Sequence, residues 1–248
     1  MDRRTIAGGL MLERLLTDGL QYAAYFSEAL VLGVLLVRGH RKRLAGVCLF
    51  LILFLLLDGV ARFYTILRYG IQSRDYYNVY WLTDVVLTVA AFALVCGFFR
   101  RACAGNEKMW HNLRPLLGFV FLLLAAISYF MIASKFHDLY SEFITQFQQN
   151  TYFACLVLTT LLYIMMQSSA VRDEELAMLV CGMGILFAAP AAALALFKLC
   201  PQSDYVNILI SNVDQLCMLG MLSTWLYAIT KLPHEVTARA DVPVVART

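Results

Sequence analysis

The chain has 248 residues, and 61% of them are apolar, against roughly 45–50% in soluble domains. Charged residues are 15% of the chain and the net charge is +3; mean hydropathy is +0.70. A soluble fold of this size needs more polar surface than that, which excludes a cytosolic globular enzyme, a disordered chain and a small disulfide scaffold, and leaves an integral membrane protein.

Residues 1–18 carry Arg3 and Arg4, then an apolar run interrupted by Glu13 and Arg14. The run is short for the core of a signal peptide and lacks a small-residue cleavage site, so a helix lying at the membrane interface is expected there. Residues 19–230 then hold seven segments long and apolar enough to cross about 30 Å of hydrocarbon, near 19–37, 44–67, 76–99, 113–133, 145–167, 175–197 and 205–229. Charges or turn residues separate them, and the runs are continuous rather than alternating, unlike the strands of a β-barrel. The expected fold is an all-α integral membrane protein, a bundle of seven transmembrane helices in which sequential neighbours pack antiparallel. Residues 231–248 read as a short flexible cytoplasmic tail.

Sidedness comes from Lys and Arg. The twenty basic residues divide twelve to eight between the two faces, and two dense loops, with Arg38, Arg41, Lys42 and Arg43 in one and Arg100, Arg101, Lys108 and Arg114 in the other, set the bias. The positive-inside rule then puts the N-terminus outside and the C-terminus in the cytoplasm. Tyr76, Tyr77, Tyr80 and Trp81 open the third span as an aromatic belt at the outer interface, and Trp110 and Trp225 fall near the inner one.

Several chemistries lack their residues. Cys48, Cys96, Cys155, Cys181 and Cys217 lie inside apolar runs, and only Cys200 falls in an outward loop, so no structural disulfide is expected. The four histidines are all in loops, which argues against bis-His haem or a His-built zinc site. The seventh span has no lysine for a retinal Schiff base, and no nucleophile-elbow, Walker or H-E-x-x-H motif occurs. No catalytic residue, metal or cofactor is assigned. No face gathers enough Lys and Arg for nucleic acid, and no internal repeat marks an inverted-repeat transporter.

Ionisable residues inside membrane helices are rare and usually face a cavity or a partner. Five stand out: Glu28, Asp58, Arg62, Asp84 and Asp214. The four acids come from four different spans, each roughly 12–14 Å below the outer boundary at 1.5 Å per residue. Asn207, Ser211, Asp214 and Gln215 form one polar stripe at i, i+4, i+7, i+8 spacing. The fifth span opens with Gln146, Gln148, Gln149 and Asn150 at the same level. Residues 47–57, 86–99 and 216–222 are by contrast nearly all apolar. The expected site is therefore a polar, acidic cavity open outward and closed below, formed by Glu28, Asp58, Arg62, Asp84, Asn150, Asn207, Ser211, Asp214 and Gln215. Asp58 and Arg62 stand i, i+4 as an ion pair, with Glu28 or Asp84 as a second partner for the arginine. Pro190, among alanines, is expected to kink the sixth span.

The seven-span layout resembles the seven-helix sensory regions at the front of some bacterial histidine kinases. The stretch from Tyr76 through Asn78, Tyr80, Trp81 and Thr83 to Asp84, running on to Phe98, Phe99, Arg100 and Arg101, is similar to an uncharacterised family of standalone bacterial seven-span proteins. The resemblance implies a multi-pass protein of the cell inner (plasma) membrane. No kinase, cyclase or GGDEF-type domain follows Ile229, so signalling would use a separate cytoplasmic or membrane protein partner. The expected function is a standalone sensor or receptor-like protein in the lipid bilayer that binds a small-molecule or cationic ligand. A secondary transporter coupling protons or cations through the carboxylates is the alternative, followed by an intramembrane hydrolase and a structural subunit of a membrane complex.

Overall fold

The computed structural model describes the backbone of residues 3–38, 43–70, 73–132, 139–168, 173–199 and 204–231, with side chains over 19–38, 43–70, 73–130, 143–144, 146–167, 173–189 and 212–231. Within them the chain is all helical. Its seven helices, in chain order, are α1 (Arg3–Val37), α2 (Ala45–Tyr69), α3 (Arg74–Ala102), α4 (Glu107–Ile132), α5 (Leu139–Ser168), α6 (Glu174–Leu199) and α7 (Asp204–Lys231). α1 is one continuous helix of 35 residues, so the segment expected at the interface and the first span share a single axis. Local chemistry fixes the ends. Ser73 caps α3 by accepting from the Tyr76 amide at 3.1 Å, and the Asp173 carboxylate caps α6 by accepting from the Leu176 amide at 3.0 Å. Gly70 ends α2 at φ 80°, a conformation that disfavours a residue with a Cβ.

Among the described residues five helices are long and apolar enough to cross a membrane: Gly19–Val37, Ala45–Tyr69, Arg74–Ala102, Glu107–Phe130 and Gln146–Gln167. Their apolar surface faces outward. Phe26, Phe63, Leu67, Leu122, Phe130 and Phe153 are between 60% and 74% exposed, a surface that hydrocarbon wets and water does not. The protein is a membrane protein with a helical bundle.

The helices close into a ring. α1 packs on α2 and α7, α6 on α5 and α7, and α3 touches α2, α4, α5 and α6. α3 is the most enclosed of the five spans and α4 the least; α4 leans on α3 and α5 at the edge of the bundle. Sequential neighbours do pack together, but the α3–α5 and α1–α7 contacts are what make the bundle close.

The dry half of the bundle lies toward the C-terminal ends of α1, α3 and α7. Leu35, Leu51, Val95, Leu179, Leu222, Trp225 and Ile229 are there, each no more than 1% exposed. The sequence pattern puts Trp225 near an interface; it is instead the largest buried side chain, its indole N–H donating to the Leu179 carbonyl at 3.0 Å and its ring edge-on to Phe50 at 6.2 Å. The match of an apolar body with one satisfied N–H makes burial favourable. At the same end a charged clamp joins the ends of neighbouring helices. Glu175, 4% exposed, meets Arg43 at 2.8 Å and Arg101 at 2.7 Å, and Arg101 also meets Asp173 at 2.8 Å. Arg38 donates to the Ile229 carbonyl at 3.0 Å, tying the end of α1 to the end of α7.

Gly182 lets α6 and α7 approach. A Cβ there would stand 2.7 Å from the Trp225 ring and 3.3 Å from the Met221 carbonyl, whereas nothing lies within 4 Å of a Cβ on Gly184. Gly182→Ala is expected to cost about 1–3 kcal/mol through overpacking, and Gly184→Ala to be neutral or mildly stabilising. Thermal unfolding of the two variants in one detergent checks this; equal midpoints would refute close packing at Gly182.

Candidate functional site

The polar half is built around α2. Its turns from Leu55–Ala61 are π-helical rather than α-helical, and the Arg62 amide reaches back five residues to the Leu57 carbonyl. A π turn inserts one extra residue and swings the next turn of the helix to a new azimuth. Here the widened turns carry Asp58 and deliver Arg62 toward α3. Gly59 lies beside the Tyr25 ring, which would stand 3.9 Å from a Cβ at that position, and so Tyr25 of α1 reaches across to Asp58.

All three guanidinium nitrogens of Arg62 donate to protein. Nη1 donates to Asp58 Oδ1 at 2.5 Å, Nη2 donates to Asp84 Oδ1, and Nε donates to Thr83 Oγ1 at 3.0 Å. The guanidinium also lies over the Tyr80 ring, 4.3 Å from its centroid, a favourable cation–π geometry. Around this hub, Gln21 donates to the Tyr25 hydroxyl at 3.0 Å and Tyr25 donates to Asp58 Oδ2 at 2.9 Å. Thr83 in turn donates to the Tyr80 carbonyl at 2.8 Å. The side chains of Arg62, Asp58 and Asp84 are 15%, 19% and 11% exposed. One guanidinium thus binds two carboxylates from two helices, and the fork geometry of arginine is what permits it.

These residues line a cavity of about 530 Å³, within the size range of small-molecule sites. Of the side chains expected at the site, Glu28, Asp58, Arg62, Asp84, Asp214 and Gln215 all line it. Asn150 does not. Its amide donates to Ser128 Oγ at 3.0 Å across the α4–α5 seam, because its position on α5 faces α4; Gln148, Gln149 and Tyr152 present the cavity face instead. The side chains of Asn207, Ser211 and Pro190 lie outside the described residues, as do Cys200 and the tail beyond Lys231. The second partner of Arg62 is Asp84 rather than Glu28.

Glu28 has a different environment. It is 0% exposed, one helical turn deeper than Tyr25 on the same face of α1, and neither carboxyl oxygen meets a hydrogen-bond partner among the described residues. Below it the lining turns apolar, with Phe50, Phe54, Leu87, Ala91, Leu186 and Met218 forming the floor. The polar residues cluster toward the N-terminal ends of α1, α3, α5 and α7, and the floor toward the Trp225 core.

Tyr25, Tyr80 and Tyr152 also line the cavity, which the sequence pattern does not announce. Tyr80 reads in sequence as interfacial, and the i, i+4 step from Tyr80 to Asp84 is the signal that places both on one face. Tyr25 stands three residues before Glu28 and shares its face by the same rule. Among the described residues no three His, Cys, Asp or Glu side chains gather closely enough to hold a metal ion. No family model, curated protein or solved structure matches the chain.

Asp58→Asn removes the charge that faces both Arg62 and Tyr25, whereas Thr159→Val removes a hydroxyl that donates only to carbonyls of its own helix, those of Cys155 and Leu156 at 2.8 and 3.0 Å. The first is expected to cost about 2–3 kcal/mol and the second under about 1 kcal/mol. Circular-dichroism melts of both variants in one detergent decide it: equal losses would mean that the Asp58–Arg62 pair adds nothing to stability.

Proposed function

We propose that the chain is a receptor-like seven-span protein of a bacterial inner (plasma) membrane that binds a small ligand in the cavity lined by Glu28, Asp58, Arg62, Asp84 and Asp214. The single observation that carries this reading is the one-sidedness of the cavity. Its polar wall lies at one end of the bundle, and an apolar floor, the Trp225 core and the Glu175 clamp lie between it and the other end. A carrier needs polar access from both sides in turn; a receptor needs access from one.

Seven spans are supported by length and packing. α6 and α7 have 26 and 28 residues and pack in the same bundle as the five apolar spans, which supports reading them as spans too. The orientation is supported by the positive-inside rule: Arg43, Arg100, Arg101, Lys108 and Arg114 all stand at or beyond the clamped end. That end is then cytoplasmic, the cavity mouth faces outward, and a partner protein would read the ligand-bound state at the cytoplasmic face.

Cysteine labelling with a membrane-impermeant maleimide tests both points. Cys103 itself is a poor reporter, since it is 2% exposed and burial pushes its thiol pKa up; Ala104, beside it, is exposed. In intact cells Gln149→Cys at the cavity wall and Ser141→Cys should be modified from outside, and Ala104→Cys should be spared until the membrane is opened. In inverted vesicles Met218→Cys at the floor should remain unmodified. Modification of Ala104→Cys from outside would invert the topology, and modification of Met218→Cys from the cytoplasmic side would replace the receptor with a carrier.

A further inference from the structure

The cavity gathers four carboxyl groups, Glu28, Asp58, Asp84 and Asp214, around a single arginine among the described residues. Among the described residues Arg62 is the one cationic side chain that lines it, and each of its three nitrogens already donates once, to Asp58, Asp84 and Thr83. Glu28 and Asp214 are left facing the same space. Glu28 is the sharper case, because it is wholly buried and both of its oxygens are without a hydrogen-bond partner among the described residues. When that carboxyl is ionised, a positive partner entering the cavity satisfies it, since desolvating the charge alone is costly.

The surroundings narrow the chemistry of that partner. A bare metal ion requires several oxygen, nitrogen or sulfur ligands around one point, and no three His, Cys, Asp or Glu side chains are gathered for one among the described residues. The space, about 530 Å³, is that of an organic molecule rather than an ion. Its walls combine acid with aromatic side chains: Tyr25, Phe50, Phe54 and Tyr152 line it together with Glu28 and Asp214. Aromatic faces attract ammonium groups through the ring quadrupole, and more strongly when water is excluded.

We propose that the cavity takes a small organic cation, an ammonium carrying an apolar group, whose charge is received by Glu28. The assignment rests on the receptor reading above and adds the class of ligand. The ammonium donates to the Glu28 carboxylate in charge-assisted hydrogen bonds, its apolar group lies on Phe50 and Phe54, and Asp214 adds a second negative charge from α7. Arg62 stays in place throughout, holding Asp58 and Asp84 so that they do not compete for the cation.

Three probes of similar size and different charge test the assignment by isothermal titration calorimetry on the full chain in lipid nanodiscs, with empty nanodiscs as the baseline. They are phenethylammonium, 3-phenylpropanol and 3-phenylpropionate. Phenethylammonium is expected to bind saturably, and the alcohol and the acid at least about tenfold more weakly. Glu28→Gln should lose at least about tenfold in affinity for phenethylammonium, while Asp75→Asn, an exposed acid in the first turn of α3 that does not line the cavity, should bind as wild type does. The ranking of the three probes on the wild-type chain needs no variant to fold. Wild-type affinity in a Glu28→Gln protein of unchanged helicity overturns the proposal. Tighter binding of the alcohol or the acid overturns the cationic class and leaves the receptor reading standing. Saturable binding by none of the three overturns the assignment as well, whereas the receptor reading fails separately, on cytoplasmic labelling of the cavity floor.

Discussion

A charge placed in hydrocarbon costs at least about 2.5 kcal/mol at the middle of a helix, and the arrangement around Arg62 is this chain's answer to that constraint. A single guanidinium links α2 to α3 through Asp84 and Thr83, and through Asp58 and Tyr25 it reaches α1. Each partner satisfies a group that would otherwise be stranded. The same contacts brace the α1, α2 and α3 walls of a space lined by six helices, because the side chains of the network on those walls are held by one another rather than by the opposite wall. Those walls of the cavity thus depend on the network.

Such a network needs a backbone that can aim it. In an unbroken α-helix Asp58 and Arg62 share a face with each other, but that face need not also meet α3. The π turns at Leu55–Ala61 supply the missing rotation. Widened turns weaken the local hydrogen-bond ladder, and the fold tolerates this where neighbouring helices over-determine the position. Tyr25 against Gly59 and Tyr80 beneath the guanidinium provide that support.

The polar half is balanced by a rigid apolar one. Trp225, seated over Gly182 with its N–H satisfied by Leu179, joins α6 to α7 and touches α2 through Phe50. Glu175 and its two arginines clamp the ends of α2, α3 and α6. Phe50 belongs to both halves, lining the cavity floor and meeting Trp225 on its other side. A ligand pressing on that floor would act directly on the core that joins α2, α6 and α7, and this is a short physical route from the cavity to the clamped end.

The amino-acid sequence alone determined that the chain lives in a membrane, that it is helical and where its long apolar helices fall. These properties depend on averages over windows of some twenty residues and on a fixed rise per residue, so they survive any detail of packing. The Asp58–Arg62 pair is legible for the same reason, being local to one helix. Azimuth is not local. Only the tertiary structure decided that Arg62 turns to Asp84 and leaves Glu28 alone, that Asn150 faces Ser128 across a seam, that Tyr25, Tyr80 and Tyr152 line the cavity, and that Trp225 sits in the core rather than at an interface. The direction in which a side chain leaves its helix is set by which neighbours that helix packs against, and here also by a π turn that resets the helical phase partway along α2. A pattern read at 3.6 residues per turn cannot carry either one.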